Sequence, residues 1–320
     1  MLAIVSPGQG AQRPGILTPW LEVPHFRTRI NAFAALSGLD LEALGTTATA
    51  ETIKATEYAQ PLLVATALCA AHELPMAGFH IAANMVAGHS VGELVAAALS
   101  GVLSDTEALI LATVRGRAMA QAAATADTGM AAILLGDADT VAAEATARGL
   151  SVANRNGNAQ VVVGGTNAQL DDLEAHPLAR TKVVRLQVAG AFHTAYMEPA
   201  IAEVTRTAAN LTTSNPLVPV LSNRDGAVVN SGADYLQRLI SQIATPVRWD
   251  LCMDTMHKYG ITGVLELPPS GVLTGLVNRN LPGVEVFSLD NPSQLPAALA
   301  FIHRHHTVTE SESEPETAAE

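Results

Sequence analysis

The stretch Val86-Ala87-Gly88-His89-Ser90-Val91-Gly92-Glu93-Leu94 constrains this chain more than any other. The apolar residues before Gly88 read as a short buried strand. The Ala-rich residues after Gly92, to about Leu99, read as a helix, and Ser90 stands at the tight turn between them. A serine hydroxyl held up at so sharp a corner needs small neighbours two residues away on either side, which is the spacing Gly88-x-Ser90-x-Gly92. The following helix aims its unpaired N–H groups and positive dipole end back at the serine. Negative charge developing on an attacked carbonyl would be stabilised there. The placement makes Ser90 a candidate nucleophile, with a structural turn as the plainer alternative.

Composition narrows the setting. The chain has 320 residues, 48% hydrophobic and 15% charged, enough for one large domain or two smaller ones with a sizeable core. Its formal net charge is −12, and Glu310, Glu312, Glu314, Glu316 and Glu320 crowd the last dozen residues, where there is no Lys or Arg. That balance argues against nucleic acid as a partner, which wants a basic face. Cys69 and Cys252 have no metal or redox spacing and read as buried thiols of a cytoplasmic protein. No apolar run reaches membrane-spanning length, and Met1-Leu2-Ala3-Ile4-Val5 lacks the basic residues of a signal peptide.

In chain order, Leu2 to Ser6 reads as a buried strand ending in the glycine-flanked loop Pro7-Gly8-Gln9-Gly10-Ala11-Gln12, whose backbone N–H groups can approach a ligand. From Pro14 to about Glu73 the pattern is helical, with breaks at Gly38 and Gly45. Ser104 with Glu107 reads as a capping box opening the helix that carries Arg115 and Met119. Between about Gly129 and Val188 the predicted order is β-α-β-β-α-β, a ferredoxin-like motif inserted in a larger α/β body. After His193 come further helices and short strands, and from Thr307 a polar acidic tail that reads as disordered.

A serine nucleophile needs a base. Among the ten histidines, His193, in the loop Gly190-Ala191-Phe192-His193-Thr194, is the preferred candidate. His89 adjoins Ser90, but adjacent side chains at a tight turn diverge, so it reads as a wall residue. His303, His305 and His306 read as a solvated helix end rather than a metal cluster. Arg115 is either a salt-bridged surface side chain or a planar fork for a carboxylate.

Taken together these stretches resemble the malonyl-CoA:acyl carrier protein transacylase family. The resemblance rests on Pro7-Gly8-Gln9-Gly10-Ala11-Gln12, Gly88-His89-Ser90-Val91-Gly92-Glu93, Arg115-Gly116 and Ala191-Phe192-His193. Further support comes from Asn154-x-Asn156, Gln242 before Thr245-Pro246-Val247-Arg248-Trp249, and Glu266-Leu267-Pro268-Pro269-Ser270-Gly271. It extends to about His303 and implies ping-pong acyl transfer with malonyl-CoA and acyl carrier protein as partners and no metal or cofactor. Ser90 would take the malonyl group, and His193 would be the base, oriented by the backbone carbonyl of Gln242. The backbone N–H groups of Gln9 and Val91 would form the oxyanion hole. Arg115 would pair with the malonyl carboxylate, Met119 and Phe192 would line the acyl pocket, and Asn154, Asn156 and His89 would contact substrate. Phe192 points to malonyl over bulkier branched acyl groups. The family is mostly monomeric.

The expected division is an α/β-hydrolase-like core with a parallel sheet over 1–126 and 190–306, a ferredoxin-like insert over 127–189, and a disordered acidic tail over 307–320 that is not part of the family pattern. Pro269 departs from the glycine usual in the family, so that turn is expected to differ locally. Arg117, Lys182, Arg185 and Arg279 are candidates for a basic patch that docks the carrier. The rival reading, a serine thioesterase or hydrolase of the α/β-hydrolase class, normally orders serine, acid and histidine along the chain, with the histidine late. A non-catalytic carrier-binding scaffold would be expected to have lost Ser90, His193 or Arg115.

Overall fold

A computed structural model describes residues 1–74, 83–157 and 159–306; the predicted acidic tail lies outside them. The strands are β1 (Leu2–Ser6), β2 (Met85–Gly88), β3 (Thr128–Leu134), β4 (Ser151–Arg155), β5 (Gln160–Thr166), β6 (Lys182–Arg185), β7 (Val220–Leu221), β8 (Val228–Val229), β9 (Val247–Arg248), β10 (Gly263–Glu266) and β11 (Glu285–Ser288). They form two sheets, ordered β11-β10-β1-β2-β7-β8 and β6-β3-β5-β4-β9.

In the first sheet β1 lies at the centre, pairing in parallel with β10 and β2, and Ser6 sits opposite Gly88. β1, β2 and β10 are buried along their whole length. Strands covered on both faces read as unbroken apolar runs, which is why Leu2–Ser6 and Met85–Ala87 were recognisable. Parallel pairing also brings the carboxyl ends of β1 and β2 to one edge, so the loop after Ser6 and the turn after Gly88 are neighbours. Helices Thr56–Glu73, Gly92–Leu99 and Asp105–Ala123 pack beside this sheet in the largest apolar cluster. Helix Thr56–Glu73 is buried along nearly its whole length and accommodates Pro61 early, as expected. Ser104 and Glu107 form the predicted capping box.

The second sheet takes four antiparallel strands from 128–185, in the order fourth, first, third, second within that segment. Ala131 and Ile133 of β3 face a separate apolar cluster with Val141, Leu170 and Leu173, whereas Met130 and Ala132 join the main core. This is the period-two alternation of a strand covered on both sides.

Several expectations were corrected. The helical region before Glu73 is four helices, Pro24–Ser37, Leu41–Thr46, Ala50–Lys54 and Thr56–Glu73, preceded by turns. Gly38 does end a helix, with φ +69°, but Gly45 lies inside one. A Cβ at Gly45 would sit 2.3 Å from Leu17 Cγ, so this glycine serves close packing. The strand expected to reach Val188 stops at Arg185. Two short strands were not foreseen: β8, antiparallel to β7, and β9, which joins β4 in parallel from far along the chain. Two-residue strands carry too little periodicity to be seen. Around Pro269 the Pro268–Pro269 bond is cis, and Gly271 has φ +116°. Among the described residues no helix is long and apolar enough to cross a membrane.

Candidate active site

Ser90 has φ +54°, rare for a residue with a side chain, and stands between the end of β2 and helix Gly92–Leu99. The flanking glycines are dictated by space. A Cβ at Gly88 would fall 1.9 Å from the Gly92 carbonyl carbon, and one at Gly92 would fall 2.3 Å from the Ser6 carbonyl oxygen. The corner is held by Asn223, whose Oδ1 accepts the Ser90 backbone N–H at 2.7 Å and whose Nδ2 donates to the Gly88 carbonyl at 2.7 Å.

Ser90 Oγ lies 2.7 Å from His193 Nε2, and His193 Nδ1 lies 2.8 Å from the backbone carbonyl of Gln242. A carbonyl only accepts, so Nδ1 carries the proton and Nε2 presents its lone pair to the serine hydroxyl. His193, also at positive φ (+61°), is buried. Burial, with the nearby Arg115 charge, pushes its pKa down to about 3, which keeps it a neutral base.

Arg115 enters from helix Asp105–Ala123 and is 3% exposed. Its Nη2 donates to Ser90 Oγ at 3.2 Å and to Gln242 Oε1 at 3.0 Å, and its Nη1 donates to Gln60 Oε1 at 2.7 Å. Burial lowers its pKa to about 10, so it remains a cation. Gln242 Nε2 donates to Glu93 Oε2 and, at 3.2 Å, to Asn223 Oδ1. Burial pushes Glu93 up to about 8, against the Asn223 N–H and Arg115, which hold it down.

Ser90, His193, Gln9, Gln60, Met119, Phe192 and Asn154 line a cavity of about 70 Å³. Gln60 Nε2 lies 3.5 Å from Met119 Sδ. Outside it opens a groove of about 370 Å³ bordered by Gly8, Gln9, Gly10, His89, Asn154, Asn156 and Arg279. Gln9 is anchored by its side chain to the Lys54 carbonyl and Thr56 Oγ1. Val91 follows Ser90 directly, and neither the Gln9 nor the Val91 backbone N–H has an acceptor among the described residues. Asn154 borders both spaces, and its Oδ1 is buried without a hydrogen bond among the described residues. His89 turns away from Ser90, as expected of neighbours at a tight turn, and its Nε2 meets Asn156 Oδ1 at 2.9 Å.

Gln9, His89, Ser90, Met119, Asn154, Asn156, Phe192 and His193 line the cavity or its outer groove, while Arg115 and Gln242 lie behind it, bonded to Ser90 and His193. The basic residues proposed for carrier docking differ in their surroundings. Arg279 borders the outer groove, but Arg117 pairs with Glu203 at 2.6 Å, and Arg185 pairs with Asn167 and Asp171. Arg117 lies two positions from Arg115, which on a helix turns it to another face. His305 of the C-terminal histidines is bonded to Thr262 and Glu285. Sequence reasoning missed Asn223, Gln60 and the contacts of Glu93. Glu93 had one visible sign: it is the single charge in an otherwise apolar eight-residue helix.

Comparison with known proteins gives the family. Residues 4–282 match the acyl transferase domain family. The chain is 44% identical over 299 residues to the malonyl CoA-acyl carrier protein transacylase of Mycobacterium tuberculosis, covering 92% of this chain and 98% of that protein. It is 33% identical over 304 residues to the protein of the same name from Escherichia coli K12, covering 93% and 98%. The crystal structure of MCAT from Mycobacterium tuberculosis superposes with a TM-score of 0.90 at 42% identity, covering 93% of this chain and 99% of that one. The fold is therefore a mixed α/β fold built on a parallel sheet, and the chain belongs to the acyl transferase family, among the malonyl CoA-acyl carrier protein transacylases.

Proposed function

We propose that this chain transfers a malonyl group from coenzyme A to the phosphopantetheine thiol of acyl carrier protein, supplying fatty-acid synthesis, through an acyl-enzyme on Ser90. The observation that carries the reading is the buried Arg115 guanidinium 3.2 Å from Ser90 Oγ. A cation beside the nucleophile suits an acyl group that ends in a carboxylate, since a guanidinium and a carboxylate make two parallel charge-assisted bonds.

In the first half-reaction His193 Nε2 takes the Ser90 proton as Oγ attacks the thioester carbonyl. The backbone N–H groups of Gln9 and Val91 stabilise the oxyanion, an assignment favoured by their free donors and by the helix N-terminus at Val91. The carbon–sulfur bond breaks, and His193 returns its proton to the coenzyme A sulfur. In the second half-reaction His193 takes the proton of the carrier thiol, the sulfur attacks the Ser90 ester, and the proton passes back to Ser90 Oγ. The Gln242 carbonyl keeps the His193 tautomer fixed through both halves.

Met119 and Phe192 bound the acyl space, and its small size favours a short acyl chain such as malonyl. Asn154, Asn156 and His89 border the groove that would take the pantetheine arm. We read residues 127–189 as a ferredoxin-like insert in an α/β-hydrolase-like core formed by 1–126 and 190–306. The strand order of the second sheet and its own apolar cluster support that division. A cytoplasmic location suits two buried free thiols.

Intact-protein mass after brief exposure to malonyl-CoA tests the reading. A malonyl adduct on wild type, absent from Ser90→Ala and discharged by acyl carrier protein, is expected. Free coenzyme A release without an adduct, unaffected by the carrier, would instead mark a thioesterase.

A further inference from the structure

Glu93 takes no part in the proton transfers above, yet it is the buried acid of the site, 1% exposed. Two N–H donors converge on it, one at each oxygen. The Asn223 backbone N–H reaches Oε1 at 2.5 Å, and Gln242 Nε2 donates to Oε2. Protonation would convert one of those acceptors into a donor, so the arrangement suits the carboxylate. Both partners are committed elsewhere. Asn223 Oδ1 accepts the Ser90 N–H. Gln242 accepts from Arg115 at its side-chain oxygen and from His193 at its backbone carbonyl. The Gln242 amide therefore lies between a cation at its oxygen and an acid at its nitrogen, which leaves it one orientation. The Tyr235 hydroxyl lies 3.2 Å from the Leu221 carbonyl and 3.5 Å from that of Glu93.

We infer that Glu93 is the positioning residue of this site: its carboxylate holds Asn223 against the Ser90 backbone and Gln242 against His193 and Arg115, so that nucleophile, base and guanidinium keep one geometry. Its charge also offsets the buried guanidinium. In a serine triad an acid contacts the histidine directly. Here the acid acts one residue removed, through an amide whose carbonyl does the contacting. The inference rests on Ser90 and His193 being the reacting pair, but not on malonyl being the acyl group. Glutamine at position 93 would satisfy one donor and set its own N–H₂ against the other, and aspartate is too short to reach both.

The test compares wild type, Glu93→Gln, Glu93→Asp, Gln242→Ala and the Glu93→Gln/Gln242→Ala double variant at about pH 9, above the Glu93 titration. Single-turnover acylation of Ser90 by malonyl-CoA is followed, and so is labelling of Ser90 by a fluorophosphonate, which needs the Ser90–His193 pair but no acyl group. Glu93→Gln should lose on the order of 10²-fold in maximal acylation rate, the cost of a small misplacement at the reacting atoms. Its half-saturating malonyl-CoA concentration should stay within about threefold, because the outer groove is untouched. Fluorophosphonate labelling should slow in parallel, and Glu93→Asp should fall between. Gln242→Ala keeps the carbonyl but cuts the link, so the double variant should lose no more than the worse single. Wild-type rates in Glu93→Gln, a loss confined to half-saturation, or full additivity would overturn the inference. Should Glu93→Gln not fold, wild-type labelling in Gln242→Ala would overturn it equally. A wild type that labels with fluorophosphonate faster than Glu93→Gln but takes no malonyl would refute the malonyl reading and leave this one standing.

Discussion

Arg115 Nη2 donates to Ser90 Oγ and to Gln242 Oε1, so a single nitrogen joins the nucleophile to the residue whose backbone orients the base. The guanidinium is partnered on three sides before any acyl group arrives, and it can give up the Ser90 contact to a carboxylate without losing Gln60. Charge-assisted bonds are worth about 1.5–3 kcal/mol each. Arg115→Ala should therefore slow acylation by malonyl-CoA about 10²-fold while leaving acetyl-CoA little changed or faster. Adduct mass with the two thioesters mixed measures the ratio. An unaltered ratio would detach Arg115 from the carboxylate. Arg115→Lys should recover little, since an ammonium cannot reproduce the planar fork.

His193→Ala should lower acylation by about 10²–10⁴-fold with the fold intact, the range for a removed general base. Stopped-flow release of coenzyme A reads this directly. A drop of less than tenfold would mean that another group takes the Ser90 proton.

The depressed pKa of His193 fixes the sign of a pH effect. In the unfolded chain a histidine titrates near 6.5, whereas in the fold this one titrates at about 3. Between those values the unfolded chain binds a proton that the folded one does not, so this site loses stability as pH falls from about 6.5 towards 3. Glu93 acts in the opposite sense. Its folded pKa of about 8 lies above its ordinary 4.5, so its contribution is fully present below 4.5 and is lost as pH rises to 8. Urea unfolding of wild type against His193→Gln, at pH values either side of 6, separates the two. The stability advantage of the glutamine variant should grow as the medium is acidified, and a constant difference would contradict the burial of a neutral imidazole.

Gly88→Ala and Gly92→Ala should each cost several kcal/mol, because the contacts at 1.9 Å and 2.3 Å are to backbone atoms that cannot rotate aside. Thermal unfolding with a lowered midpoint, or failure to accumulate soluble protein, is the expected result. By contrast Arg117→Glu should leave both half-reactions within about twofold of wild type, since Arg117 is turned to Glu203 and away from the cleft. Slower transfer to the carrier in that variant would restore Arg117 to the docking surface.

What could be read in advance follows from the physics of each part. The Ser90 corner was visible because steric closure demands Gly88 and Gly92. The capping box at Ser104 and the buried strands β1 and β2 carried local patterns of their own. His193 stood out among ten histidines only by its loop, and Gln242 and Arg115 could be joined to Ser90 only by resemblance, since contacts over 25 to 127 residues leave no local periodicity. Asn223 and Gln60 left no trace at all: a single polar side chain on a buried element looks the same whether it holds a nucleophile or a turn. Of the residues proposed for a basic patch, Arg117 is spoken for by Glu203, a pairing across 86 residues that no local pattern announces.

The short strand β9 bears on how this molecule can move. It follows Gln242 by only a few residues and is stitched to β4 at Asn154 and Arg155. The chain thus passes between the two sheets not only on either side of 127–189 but twice more, into β9 and out of it, next to the residue that steers the histidine. A hinge that swung the small sheet away would have either to tear that stitch or to drag the carbonyl acceptor of His193 along with it. Spreading the two sheets and keeping His193 aligned are therefore opposed by the same two-residue pairing.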